Sequence, residues 1–415
     1  MKKILRLFLS PISGILFLFF SIIVLPIGIA IYQGNNTNEV LGLFLILAFG
    51  TLVVLDLLFR FLYRLRYGRP FLNAPRVSVD KLFVEPHPFL SFINKKKFLI
   101  TSTSYGYPLH KDKYTIGNYY TNNLRFSNGE DGSRDIQIPK PEGLIRINCI
   151  GASTTGNYIE YQGSSYSYPL ELEKKLNTNF GESIEVNNCG QGGYNSLDVL
   201  IRLLLQVLDT DPDIILLYHA YNDINAYLTD DFSSDYSHSR RNLGESYWKF
   251  AIASKIPTTP FKFINFLIEK WMPVDSRNSL LGQIAKGKFN IQNDPSKGLI
   301  YYKRNLQYII DICKARNIEL ILSTYCHLLY DGIKNDALHQ VYRRIVSQEN
   351  DIMRELAKKN NLTLVDNAAL VPQEEEYFVD SIHFTPIGMQ TLAANFEKPL
   401  KEIISKRIKL NKERQ

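Results

Sequence analysis

The chain has 415 residues, enough for one large domain and an appendage, and its apolar (45%) and charged (21%) fractions suit a globular protein that carries a membrane element. It shows no collagen-like, mucin-like or acidic low-complexity stretch and no solenoid repeat. The net charge of +7 gathers at the flanks of the apolar N-terminal region and in residues 401–414, and no basic stripe or recognisable module argues for nucleic acid as a partner.

Residues 7–31 hold no charge, and a second apolar run over 40–59 is interrupted only by Asp56. Each is long enough to cross a hydrocarbon core that needs about 20 residues. A cleaved signal peptide has a shorter apolar stretch and no second span directly behind it. The sequence therefore predicts a transmembrane helical hairpin over 1–66, with residues 33–39 as its tip and Asp56 and Arg60 spaced to pair at i, i+4. Lys2, Lys3 and Arg6 precede the first span, Arg60, Arg64, Arg66 and Arg69 follow the second, and the tip carries only Glu39. By the positive-inside rule both ends, and the soluble domain with them, face the cytoplasm.

Residues 67–143 are rich in Pro, Asn, Gly and aromatics without a sustained helical period, and read as an irregular lead-in that can fold over the domain behind it. From 144 to 406 strand and helix signals alternate. Strands are expected at 145–150, 184–187, 214–218, 318–323 and 363–365, and helices at 166–176, 197–208, 301–315, 338–359 and 386–405. That alternation predicts an α/β domain with a parallel sheet between helices, and such sheets place their sites at the carboxyl ends of the strands. The pattern lapses over 225–298, a serine-rich and then aromatic insertion that suits a small helical core of its own better than a lid or membrane-facing surface. A basic tail, 407–415, closes the chain.

Four polar motifs follow predicted strands or a turn. Gly151-Ala152-Ser153-Thr154-Thr155-Gly156 has the glycine spacing of a phosphate-binding loop, but Asn157 and Tyr158 stand where that loop needs Lys and Ser/Thr, so the phosphate reading fails. Ser153 is left as an exposed nucleophile or as the N-cap of the next helix. Gly190, Gly192 and Gly193 permit a turn that aims an N–H into a cleft. Asn222 can donate its amide to an oxyanion or form an Asx turn. Asp380 and His383 are spaced so that the carboxylate can receive one imidazole N–H and leave the other nitrogen free. His219 and His327 also lie beside predicted strand ends, where structural roles are expected ahead of substrate contact. Cys149, Cys189, Cys313 and Cys326 lack metal-ligand spacing and read as small buried apolar groups, with pairing left open.

Taken in order, these four blocks resemble the SGNH hydrolases, the group that includes GDSL lipases and esterases, over about 145–396. Ser153 matches the nucleophile block, with Ala152 where the GDSL pattern has Asp. Gly193 matches the oxyanion glycine and Asn222 the third-block asparagine, with Ala220-Tyr221 where glycines are usual. Asp380 and His383 match the last block. The resemblance implies a flavodoxin-like three-layer α/β/α fold. It implies a catalytic Ser153, Asp380 and His383, and an oxyanion hole made by Ser153, Gly193 and Asn222. It further implies hydrolysis of a glycan or lipid ester without metal or organic cofactor. Acyl transfer to a cell-envelope polysaccharide is the alternative within enzymes, and a non-catalytic membrane-tethered assembly protein the alternative outside them.

Overall fold

The computed structural model describes residues 25–34, 36–72, 83–100, 109–110, 113–239, 258–271 and 289–414. The chain divides into two compact units. One combines residues 1–79 with 248–279, and the other holds 80–247 and 280–415.

In the first unit, α1 (Leu25–Tyr32) precedes α2 (Thr37–Tyr67). Asn36 and Glu39 close a reciprocal capping box at the start of α2, and Gly68 ends it at φ 67°. Its 31 residues amount to about 46 Å of helix, against a hydrocarbon core of about 30 Å, and it is long and apolar enough to cross a membrane. Most of the first predicted span, residues 7–24, lies outside the described residues. The unit also contains α7 (Lys262–Trp271), so the aromatic part of the insertion groups with the N-terminal helices and not around a core of its own.

In the second unit, β1 (Val84–Glu85) pairs with β2 (Ile93–Asn94), β3 (Leu99–Ile100) with β5 (Tyr119–Tyr120), and β4 (Thr115–Ile116) with β7 (Ile159–Tyr161), which in turn pairs with β8 (Ser164–Tyr166). The central sheet contains β6 (Ile145–Gly151), β9 (Ile184–Asn188), β10 (Ile214–Tyr218), β11 (Glu319–Ser323) and β12 (Thr363–Val365), all parallel, in the order β12-β11-β10-β6-β9. Counting only these five along the chain gives the order 2-1-3-4-5, whose reversal falls between β6 and β10. Ligands of open parallel sheets bind at that crevice, beyond the strand ends.

Every residue of β6 and of β10 is buried, as strands covered on both faces must be. The cost of burying Arg146 in β6 is offset by Glu185 at 2.6 Å, the Gln137 carbonyl at 3.0 Å and the Thr210 carbonyl. Between the strands run α3 (Ser153–Gly156), α4 (Tyr168–Phe180), α5 (Ser196–Arg202, continued by a π turn over Leu203–Val207), α6 (Ile224–Tyr227), α8 (Ser296–Ala315), α9 (Ala337–Asn360), α10 (Asn367–Leu370) and α11 (Pro386–Arg414). Helix α4 packs on α11, while α8 packs on α5 and α9, so two helix groups accompany the sheet. The basic residues at the C-terminus continue α11 as helix.

The lead-in folds onto the sheet domain through specific bonds. The Ser91 N–H and hydroxyl both donate to Asp198. Gln191 donates to Asn94 Oδ1 at 2.9 Å, Asn128 Oδ1 accepts the Asn188 N–H at 2.8 Å, and the Tyr158 hydroxyl donates to the Ser127 carbonyl at 2.8 Å.

Candidate active site

Strand β6 delivers Ser153 to the carboxyl edge, where α3 begins. Ala152 occupies the cap position without a side-chain cap bond, and Ser153 Oγ lies 2.8 Å from His383 Nε2. The hydroxyl is thus engaged with an imidazole and not with its own helix.

The two glycines that mimic a phosphate loop have packing roles: a Cβ on Gly151 would collide with the Tyr218 carbonyl oxygen, and Gly156 faces Gly190. A Cβ on Gly190 would collide with the backbone of Gly156, and one on Gly156 would come 2.9 Å from the Gly190 carbonyl carbon. The nucleophile turn and the glycine turn after β9 therefore meet backbone to backbone. In the second turn, Gly193 takes φ 83°, a left-handed conformation in which a Cβ is strained. A Cβ on Gly192 would stand 3.7 Å from Cβ of Ser153, so this turn abuts the serine.

Asn222 follows β10. One of its two amide hydrogens goes to the Tyr194 carbonyl at 2.8 Å, which fixes the side chain and leaves the other to donate. Gly193 and Asn222 line one small cleft of about 20 Å³ together with Ser91 and Asn195.

In the turn that leads into α11, Asp380 Oδ1 accepts the N–H groups of Ile382 (2.8 Å) and His383 (2.7 Å). Its Oδ2 lies 2.7 Å from His383 Nδ1. The sequence thereby arranges carboxylate, imidazole and hydroxyl in line, with Nδ1–H donating to Asp380 and Nε2 accepting from Ser153. Burial pulls the His383 pKa down, but the charge of Asp380 and its hydrogen bond outweigh this and hold it above the ordinary 6.5. Burial pushes Asp380 up, yet the His383 charge and the turn's hydrogen bonds leave it below the ordinary 3.8. The structure therefore brings together Ser153, His383 and Asp380 in one hydrogen-bonded line, and Gly193 and Asn222 in one cleft beside it.

His219 is buried with Nε2 2.8 Å from Asp223 Oδ2, a structural role. His327 is 6% exposed, neither ring nitrogen has a partner, and burial lowers its pKa to about 4. All four cysteines are free and buried. Among the described residues no cluster of His, Cys, Asp or Glu could hold a metal ion.

Beneath Asn222 lies a buried polar network that no local motif signalled. Asp223 accepts from Ser196 N–H (2.8 Å), the Ser196 hydroxyl (2.5 Å), the Tyr236 hydroxyl (2.9 Å) and His219. Glu349 on α9 accepts the Tyr221 N–H at 3.0 Å and the Tyr227 hydroxyl at 3.0 Å. Only the adjacency of Asp223 to Asn222 could have hinted at it.

An α/β domain with its polar groups gathered at the switch point of a parallel sheet is the architecture of a large class of hydrolases. Residues 149–391, more than half of the sequence, match the family model described as the GDSL-like lipase/acylhydrolase family, and the chain belongs to that family. As a member it is an ester-hydrolysing enzyme. Solved structures similar to it include a lipase/acylhydrolase from Enterococcus faecalis (17% identity, 62% of this chain and 96% of that one, TM-score 0.38). A GDSL-like lipase from Bacteroides thetaiotaomicron (14%, 62% and 88%, 0.35) and an acetylxylan esterase from Geobacillus stearothermophilus (17%, 61% and 93%, 0.37) are also similar. No curated protein matches the chain.

Proposed function

We propose that Ser153 is the nucleophile of a serine acyl hydrolase. His383, oriented by Asp380, takes the Ser153 proton as Oγ attacks the ester carbonyl. The N–H groups of Ser153 and Gly193 and the free amide hydrogen of Asn222 stabilise the oxyanion. The tetrahedral intermediate collapses to an acyl-Ser153 ester, and His383 returns the proton to the leaving alcohol. Water, deprotonated by the same imidazole, then attacks the acyl carbon and releases the acid and free serine. The observation that carries this reading is the continuous line from Ser153 Oγ to His383 Nε2 (2.8 Å) and from His383 Nδ1 to Asp380 Oδ2 (2.7 Å).

The substrate is an O-acetylated glycan or a lipid ester. Helix α2 and the apolar run before it form a two-span hairpin that holds the domain on the cytoplasmic face. The length and exposure of α2 and the arginines at its C-terminal end support this.

The test is hydrolysis of a short-chain ester panel by the full protein and by Ser153→Ala and His383→Ala, with a serine-reactive fluorophosphonate as a second readout. Undiminished hydrolysis in either variant sinks the mechanism, and a C-terminal reporter active only outside the cell sinks the orientation.

A further inference from the structure

Asp56 is the one acidic residue within the apolar run of α2, and it is only 4% exposed. Its Oδ2 pairs with Arg60 Nε at 2.6 Å one turn on, while Oδ1 accepts the N–H of Phe263 at 2.8 Å. Phe263 is the second residue of α7, so its N–H is a first-turn amide with no partner inside its own helix, and Asp56 supplies both an acceptor and a negative charge at that N-terminus. Arg60 completes the clamp by donating to the Pro260 carbonyl at 3.2 Å.

The aromatic contacts extend the clamp along α2. Phe261 meets Phe49, Phe263 and Phe266 meet Phe59, and Phe266 also meets Tyr63. Those contacts run from position 49 to 63, about 20 Å along the helix axis. Arg60, Arg64 and Arg66 mark the end of α2 that leaves the hydrocarbon, so the bound segment straddles that boundary.

The segment itself is built for a poorly hydrated setting. Its one buried amide, Asn265, is satisfied locally, accepting the Thr259 N–H at 3.0 Å and donating to the Thr259 carbonyl at 2.8 Å. While Phe263 and Phe266 face α2, Leu267 is 44% exposed and Ile264 and Ile268 are half-buried. A helix with one apolar face against a membrane span and a second apolar face uncovered suits the edge of a bilayer.

We propose that residues 258–271 form an interfacial membrane element, clamped to α2 through Asp56, that presents Ile264, Leu267 and Ile268 to lipid. The hydrolase sequence is thereby attached to the bilayer twice, at its N-terminus and from the middle of the chain. The proposal rests on α2 being a membrane span.

The test uses the full chain in phosphatidylcholine/phosphatidylglycerol vesicles with an environment-sensitive fluorophore on Leu267→Cys, Val54→Cys or Ser234→Cys, the four native cysteines being buried. The expected result is blue-shifted emission at position 267, quenched by doxyl-labelled lipid and not by iodide, with loss of both properties when Asp56→Ala is added. Position 234, which is exposed, reports aqueous quenching. Iodide quenching at 267 as strong as at 234, while 54 stays lipid-quenched, overturns the proposal and leaves the span intact. Iodide quenching at 54 as well overturns the span itself. Shielding of 267 from both quenchers shows a protein surface covering it and also overturns the proposal.

Discussion

The backbone N–H of Tyr221 donates to a carboxyl oxygen of Glu349 at 3.0 Å, joining the turn before Asn222 to a helix 128 residues later. Tyr221 sits at φ 72°, a left-handed conformation that costs a side-chain-bearing residue about 1–2 kcal/mol. The family pattern places glycine in this region. This chain keeps the conformation without glycine and holds it from α9.

Removing that support should therefore act on Asn222. Glu349→Ala should lower kcat roughly tenfold or more, because small misplacements of a catalytic group are costly, and destabilise the fold by about 1–3 kcal/mol through the unpaired Tyr221 N–H. Burial and the nearby Asp223 charge push the Glu349 pKa up to about 8. The folded protein thus holds a proton that the unfolded chain releases near 4.5, and this group's contribution to stability falls as pH rises from about 4.5 to 8. Glu349→Gln should flatten that decline in denaturant titrations, and an unchanged slope would falsify the assignment.

The pH dependence of catalysis should follow His383. The base works only when neutral, and its pKa is held above 6.5, so kcat/KM should fall on the acid side with a midpoint above that value. Asp380→Asn removes the charge that raises the pKa, so the midpoint should move to lower pH while kcat drops by roughly 10⁴. A pH–rate profile of the two proteins checks both effects, and an unmoved midpoint would assign the titration to another group.

At the oxyanion site, Asn222→Ala should lower kcat by about 10²–10³ with KM little changed. Gly193→Ala should act differently. The new Cβ opposes the 83° φ, so a stability loss of about 1–2 kcal/mol should accompany the loss of rate. Thermal melts beside initial rates separate the two.

The sheet was legible because strand-length runs, mostly apolar in β10 and β11 and alternating with Arg146, Asn148 and Glu185 in β6 and β9, recur between helical patterns, and the candidate site because its residues stand within a few positions of a strand end or in one short turn. Strands β10 and β12 coincide with the runs read from sequence. What escaped were partnerships fixed only by the fold. Glu349 looks in sequence like any acid on an amphipathic helix, and Ser196 like an ordinary N-terminal helix residue. The insertion misled because an aromatic run on a helical pattern favours a small core of its own, whereas its residues 248–279 group with the N-terminal helices. Phe261, Phe263 and Phe266 pack on Phe49, Phe59 and Tyr63, some 200 positions earlier. Asp56 reads in sequence only as the i, i+4 partner of Arg60, and nothing near it signals the Phe263 N–H that it also accepts.

The bonds from Ser91, Asn94, Ser127 and Asn128 to the turns around residues 188–198 and to Tyr158 bear on how the enzyme can be dissected. The family match begins at residue 149, but a fragment cut there would remove the Ser91 donors bonded to Asp198 and the Asn94 acceptor bonded to Gln191 beside the glycine turn. A soluble version for crystallisation or screening should therefore start just before β1, so as to keep Ser91 and Asn94, and should also lose residues 248–279, which group with the N-terminal helices.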